Sequence, residues 1–255
     1  MFDFFNSKII KREYQCTQDT TLIKIISSSD SIRVTSGDTD QVRITYYECP
    51  GKHEYDLKDN NGILSLVDKK IISLLWGIHY IFLDTTMDVT IPKDFAGTLD
   101  LHCTSGRIML KDITAGSLKG NCTSGAIRGE NVSIGNEAQL SCTSGSIKLD
   151  NFKAREITAS DHSGIIRFEN VTAEGSINAH NTSGGVHFEM LKAGGNIALK
   201  TTSGSIKGSI VGNESDYSIM SKTTSGMNNL NNSRSGSRTL DVNATSGSIK
   251  IVFVE

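Results

Sequence analysis

The sequence predicts an all-β chain, a parallel β-solenoid with coils about 20 residues long and an irregular β region capping its N-terminal end. Three observations predict it. Thr-Ser-Gly, or a close variant, recurs with its glycine at Gly106, Gly125, Gly145, Gly164, Gly184, Gly204, Gly226 and Gly247, at steps of 19, 20, 19, 20, 20, 22 and 21 residues. A fixed period of this length is the signature of a stacked, quasi-one-dimensional architecture. The residues flanking each glycine alternate apolar and polar with period 2, which is the strand period. Two prolines against 24 glycines suit a repetitive β chain better than a helical one.

Within one repeat the columns define two strands. Seven and five residues before the glycine stand apolar positions such as Leu99 and Leu101, or Ile197 and Leu199; two and four after it stand pairs such as Ile147 and Leu149, or Ile166 and Phe168. The inward parity is odd before the glycine and even after it. A straight strand cannot change parity, so Thr-Ser-Gly must be a corner, and glycine supplies the backbone freedom that a corner needs. A second corner falls at Asp112, Asn131, Asn151 and Asn170, residue types that tolerate left-handed geometry. A further apolar column follows it, from Ile113 to Val211. Eight coils at about 4.8 Å each give a rod on the order of 40 Å long. The general preference of parallel crossovers makes it right-handed.

The chain divides into residues 1–98, irregular β coils and hairpins, and residues 99–255, the regular eight-coil array, joined as one continuous unit. Ile23, Ile25, Ile32 and Val34 reproduce a coil with Asp30 in the glycine place, and Asn61, Gly62, Leu64 and Leu66 reproduce half of another. Excursions around Tyr46, Tyr47 and Trp76 lie between and beyond them. These segments are expected to cover the open end, because an uncapped terminal coil exposes pairing groups. The last strand, residues 249–254, has no evident cap, and end-to-end self-association through the C-terminal coil is expected there.

Composition bounds the partners. With 26 basic and 28 acidic residues the formal net charge is −2, which does not favour a nucleic-acid partner. The longest apolar run, residues 71–83, is too short to span a bilayer. The first residues carry charge and no apolar core of a signal peptide, so the chain as given is expected to be cytoplasmic, or at the cell surface if a leader has been removed. Five cysteines, three of them in one column, read as free thiols in a reducing compartment.

The order of elements has a familiar counterpart. Paired N-terminal β segments, then TIPKDFAGTLDLHCTSGRI, then serial TSG-x-I repeats ending in SGSIKIVFVE, resemble a bacterial family of β-strand-repeat proteins known as a domain of unknown function and labelled "putative adhesin". The likeness runs from Leu22 to the end of the chain. It implies a β-solenoid fold and no assigned catalytic activity.

Candidate sites are sought where the repeat is broken. Cys103, Cys122 and Cys142 point inward and read as a ladder of small buried hydrophobes, unmetallated because metal-binding spacing is missing. The same column continues with Asp161 and Asn181. Asp161, His162 and His180 form the candidate ligand-binding group: a carboxylate with two imidazoles nearby suits a metal or an acid–base pair. The competing reading has Asp161 accepting from corner amides and from Asn181, with both histidines solvated. Outward columns carry Arg128, Lys148, Arg167, His187, Lys207 and Lys250, then Glu130, Asp150, Glu169 and Glu189 two residues on. The acidic column offsets repulsion in the basic one, and only Lys207 and Lys250 lack an acidic partner in it. The threonine column from Thr104 to Thr245 reads as turn-capping hydroxyls. No phosphate loop, calcium nonapeptide or Ser-His-Asp spacing is present.

The function these features predict is a non-enzymatic scaffold or binding module for a protein or glycan partner, without cofactor, metal or catalytic residues. The alternatives are a carbohydrate-active β-helix enzyme centred on Asp161, His162 and His180, and an exported adhesin.

Overall fold

The structure is a computed structural model that describes residues 8–69 and 85–255. The Trp76 segment and the apolar run 71–83 lie outside the described residues. Twenty strands form one curled sheet, without an α-helix among the described residues.

The irregular N-terminal strands are β1 (Ile10–Gln15), β2 (Leu22–Ser27), β3 (Ser31–Gly37), β4 (Arg43–Glu48), β5 (Glu54–Asn60), β6 (Ile63–Lys69) and β7 (Thr86–Pro92). The repeats supply β8 (Thr98–Cys103), β9 (Ile108–Ala115), β10 (Ser117–Cys122), β11 (Ala126–Cys142), β12 (Ser146–Asp161), β13 (Ile165–Ala173), β14 (Ile177–Asn181), β15 (Val186–Ala193), β16 (Ile197–Ser203) and β17 (Ile206–Val211). The C-terminal strands are β18 (Tyr217–Ser225), β19 (Arg238–Ser246) and β20 (Ile249–Val254).

Successive repeats pair in parallel and in the register that the columns require: Ile108 opposite Ile127, Ile127 opposite Ile147, Ile147 opposite Ile166. These isoleucines are fully buried. The alternation of apolar and polar residues therefore does place one face of each strand in a shared core.

The architecture departs from an uninterrupted parallel solenoid in two ways. Strand orientation is mixed, because β1 pairs antiparallel with β4, β4 with β7, and β5 with β6. The spatial order also differs from chain order at both ends. β2 lies between β6 and β8, and β3 between β7 and β9. At the other end β19 lies between β16 and β18. The C-terminal rung is thus sandwiched inside the stack on one face, and β18 is the terminal strand there. Each end folds a later or earlier rung back over its neighbour, an arrangement that the local period cannot encode.

Both corners form, the second through the left-handed geometry its residue types suggest, the first for a different physical reason. A Cβ on Gly125 would lie 1.7 Å from the Gly106 carbonyl oxygen, one on Gly145 1.6 Å from that of Gly125, and one on Gly164 1.5 Å from that of Gly145. Close stacking of rung on rung, rather than left-handed geometry, excludes a side chain at these positions. The left-handed residues are instead Asp112, Asn131, Asn151 and Asn170, with φ from 48° to 53°, joined by Met190 at 53°. In β11 and β12 this second corner sits inside a continuous strand as a bend. Its side chains form a ladder: the Asn131 amide donates to Asp112 Oδ1 at 2.8 Å and the Asn151 amide to Asn131 Oδ1 at 2.7 Å.

Candidate functional site

The three residues singled out in the sequence occupy two sides of the sheet. Asp161 closes β12 with its side chain in the core, 3% exposed, whereas His162 and His180 face solvent. The strand itself separates the carboxylate from both imidazoles. Asp161 lies in register between Cys142 and Asn181. Asn181 does not serve it: its amide donates to the Gly164 carbonyl at 2.8 Å. Neither Asp161 oxygen has a hydrogen-bond partner. Burial pushes its pKa above the ordinary carboxylate value, against the opposing pull of the Ser163 and His162 amides.

The surrounding column explains what that slot asks for. The Cys103 thiol donates to the carbonyl of Asp30, which stands in the glycine place, at 3.3 Å; Cys122 donates to Gly106 at 3.4 Å. Beyond Asn181, the Thr201 hydroxyl donates to Gly184 and that of Thr223 to Gly247, both at 2.8 Å. Each side chain reaches the corner carbonyl of the rung before it in space. The three column thiols are buried and unpaired in disulfides. Hydrogen bonding to Cys122, then burial, raises the pKa of Cys103 and of Cys142. Among the described residues no cluster of three or more His, Cys, Asp or Glu could hold a metal.

A second polar group lies at the N-terminal end, and only its first member stood out in the sequence. Asp30, 1% exposed, accepts from the Tyr55 hydroxyl at 2.7 Å and the Thr85 hydroxyl at 2.7 Å, and its Oδ2 meets His53 Nε2 at 3.0 Å. His53 Nδ1 is 3.9 Å from Asp68, whose other oxygen accepts from the Ser28 amide. The hydrogen bond to Asp30 raises the His53 pKa, burial opposes it, and the charges of Asp30 and Asp68 add to the rise. Asp30 is saturated by protein partners, so the group fastens the 49–69 excursion to the first rung. His53, Tyr55 and Asp68 carry no periodic signal, which is why counting columns passes over them.

The third feature is an open groove of about 540 Å³ on the outer face of β13, β15, β17 and β20. Arg167, His187, Lys207 and Lys250 form its basic row, consecutive in register across the four strands. Glu169 and Glu189 line the first two strands; on β17 and β20 the corresponding places are Ser209 and Val252. Arg167 meets Glu169 at 3.5 Å, while Lys207 and Lys250 have no ion pair among the described residues. Burial, then the charges of Lys207 and Arg167, lowers the His187 pKa. Met190 and Val252 are 41% and 48% exposed at its edge. β17 is one residue shorter than β15 at the second corner, so the register shifts beside Met190.

The Toastrack DUF4097 family matches residues 20–252. The chain belongs to that family. Its function is unknown, as the domain's designation states. Among solved structures, a Parabacteroides distasonis protein named "putative lipid binding protein" aligns over 97% of this chain and 98% of its own, at 16% identity and a TM-score of 0.51. A Bacteroides fragilis "putative adhesin" aligns over 96% and 97%, at 16% identity and a TM-score of 0.48. At such identity the first likeness establishes the fold of this Toastrack chain and nothing about its ligand. A search of curated proteins gave no significant match.

Proposed function

We propose that this Toastrack protein is a non-enzymatic, adhesin-like binding module, a β-solenoid scaffold that presents the β13–β15–β17–β20 groove to a protein or glycan partner. The observation that carries this reading is the groove: a rigid, in-register surface where unpaired cations and exposed aliphatic side chains meet on an open face. Its strands are anchored from behind by fully buried Phe168, Ile206 and Leu191, so the contact surface is preformed and binding orders little of the protein. An adhesin-like role also requires a surface location, which fractionation of the native cell reads.

The test is capture from an array of immobilised glycans and proteins by the wild type and by a Lys207→Glu, Val252→Asp double variant with an unchanged melting temperature. Loss of capture in the variant is the expected result. Equal capture by both proteins refutes the groove as the contact surface. Turnover of a polysaccharide, abolished by Asp161→Ala or His162→Ala, would instead establish the carbohydrate-active reading.

A further inference from the structure

We propose that the groove takes a carboxylated glycan, with Lys207 and Lys250 reading the carboxylate and Val252 and Met190 supporting the sugar ring; the proposal rests on the binding-module reading and names its ligand class. The first support is the change of composition along the basic row. On β13 and β15 each basic residue has a carboxylate two residues further on the same strand, Glu169 and Glu189, and the rungs before them continue that pattern with Asp150 and Glu130. On β17 and β20 the acidic stripe stops and Ser209 and Val252 take its place. Lys207 and Lys250 are direct register partners on neighbouring strands about 5 Å apart, and neither has an ion pair among the described residues. Like charges side by side on neighbouring strands repel one another. An anion placed between them removes that repulsion and gains two charge-assisted hydrogen bonds.

The second support is what surrounds the pair. Val252 and Met190 offer exposed aliphatic surface, suited to the C–H face of a sugar ring. Ser209, Glu189 and His187 offer hydrogen-bonding groups that suit ring hydroxyls. Polyphosphates fit less well. Glu169 and Glu189 flank the row and would oppose a dense run of negative charge. The groove's aromatic rings, Phe168 and Phe188, are buried and offer no platform on which nucleic-acid bases could stack. A sparsely charged, hydroxyl-rich polymer matches both the two free lysines and the mixed surface beside them.

The experiment is calorimetric titration at low salt with three probes: hyaluronan oligosaccharides, which alternate a carboxylated with a neutral sugar, neutral dextran, and single-stranded DNA. The expected result is binding of hyaluronan alone, weakened by added salt and reduced at least about tenfold by Lys207→Ala with Lys250→Ala. Equal binding of dextran, sensitive to Val252→Asp, overturns the carboxylate assignment and leaves the groove reading intact. Tighter binding of DNA than of hyaluronan overturns the glycan class. Hyaluronan binding that ignores both groove variants overturns the groove reading together with the ligand. Binding of none of the three overturns the carboxylated-glycan proposal, while the array experiment judges the groove separately.

Discussion

Asp161 stands in a column whose polar members otherwise donate. Cys103, Cys122, Asn181, Thr201 and Thr223 each give a hydrogen to a corner carbonyl of the preceding rung. A carboxylate has no hydrogen to give, and a buried polar group without a partner costs about 1–3 kcal/mol. Protonation converts it into the missing donor. The folded-state pKa is raised, so its favourable contribution is complete below the unfolded carboxylate pKa and is lost as pH rises through the folded value. Asp161→Asn should therefore stabilise the protein by about 1 kcal/mol at neutral pH, and the advantage should shrink on acidification. Melting temperatures of the two proteins across the acid range check this; an advantage that grows toward low pH refutes the donor-slot account. The inward position of Asp161 follows from strand parity alone. That Asn181 turns to Gly164 instead depends on how far apart the stacked rungs sit.

At the scale of elements, the N-terminal strands depend on the Asp30 group as much as on apolar packing. β5 and β6 form a hairpin whose Tyr55 and neighbouring His53 converge on a carboxylate three residues beyond β2. Removing that carboxylate takes the shared acceptor from Tyr55, His53 and Thr85 and breaks a buried pair, so Asp30→Ala should cost about 3–5 kcal/mol. The His53 pKa is raised, which means its stabilising contribution is full below the unfolded histidine value, about 6.5, and declines as pH rises through the folded one. Wild type should lose stability relative to His53→Gln on going from slightly acidic to alkaline buffer. Parallel denaturation curves with no relative change across that window would show His53 to be neutral throughout. Asp30 was visible in the sequence because it breaks a column. Its partners were not, because a hairpin of irregular length brings them in from 23 and 25 residues away.

Across the whole molecule, the C-terminal end of the stack is closed by the segment between β18 and β19. Ser233 exchanges backbone hydrogen bonds with Ile219 at 3.0 and 3.1 Å, and Asn232 accepts from the Ser221 amide at 2.7 Å, covering the free edge of β18. On the other face the Asn229 amide imitates a strand, accepting from the Ile251 N–H at 2.9 Å and donating to its carbonyl at 2.7 Å. These contacts answer the expectation of an uncapped C-terminal coil: residues 227–233 occupy edges of both terminal strands. At the opposite end β1, an edge strand among the described residues, bears Lys11, Arg12 and Glu13, a charge pattern that discourages edge pairing. Replacing Asn229 and Asn232 with Ala and Ser233 with Pro should free both C-terminal edges and favour larger assemblies. Sedimentation velocity of the folded variant at matched concentration decides it; a sedimentation coefficient equal to that of wild type refutes the capping role.

The sequence by itself determined the all-β character, the rung length, the buried columns and the positions of both corners. Each of these rests on interactions that repeat every 20 residues, so a local period records them. It also marked Lys207 and Lys250 as the cations without acidic partners. Only the tertiary structure decided the antiparallel N-terminal pairs, the insertion of β2 and β3 behind β6 and β7, and the placement of β19 inside β18. Tertiary structure alone assembled the Asp30–His53–Asp68 group, and it left Asp161 without the partner that Asn181 was expected to supply. It also gathered the two lysines with Met190 and Val252 into one groove. These outcomes arise from contacts between rungs that are distant along the chain, where the order of stacking is chosen by which edges are left to pair. A repeat of nearly identical columns makes many stacking orders locally equivalent, and the irregular ends, with their capping side chains and hairpins, select among them.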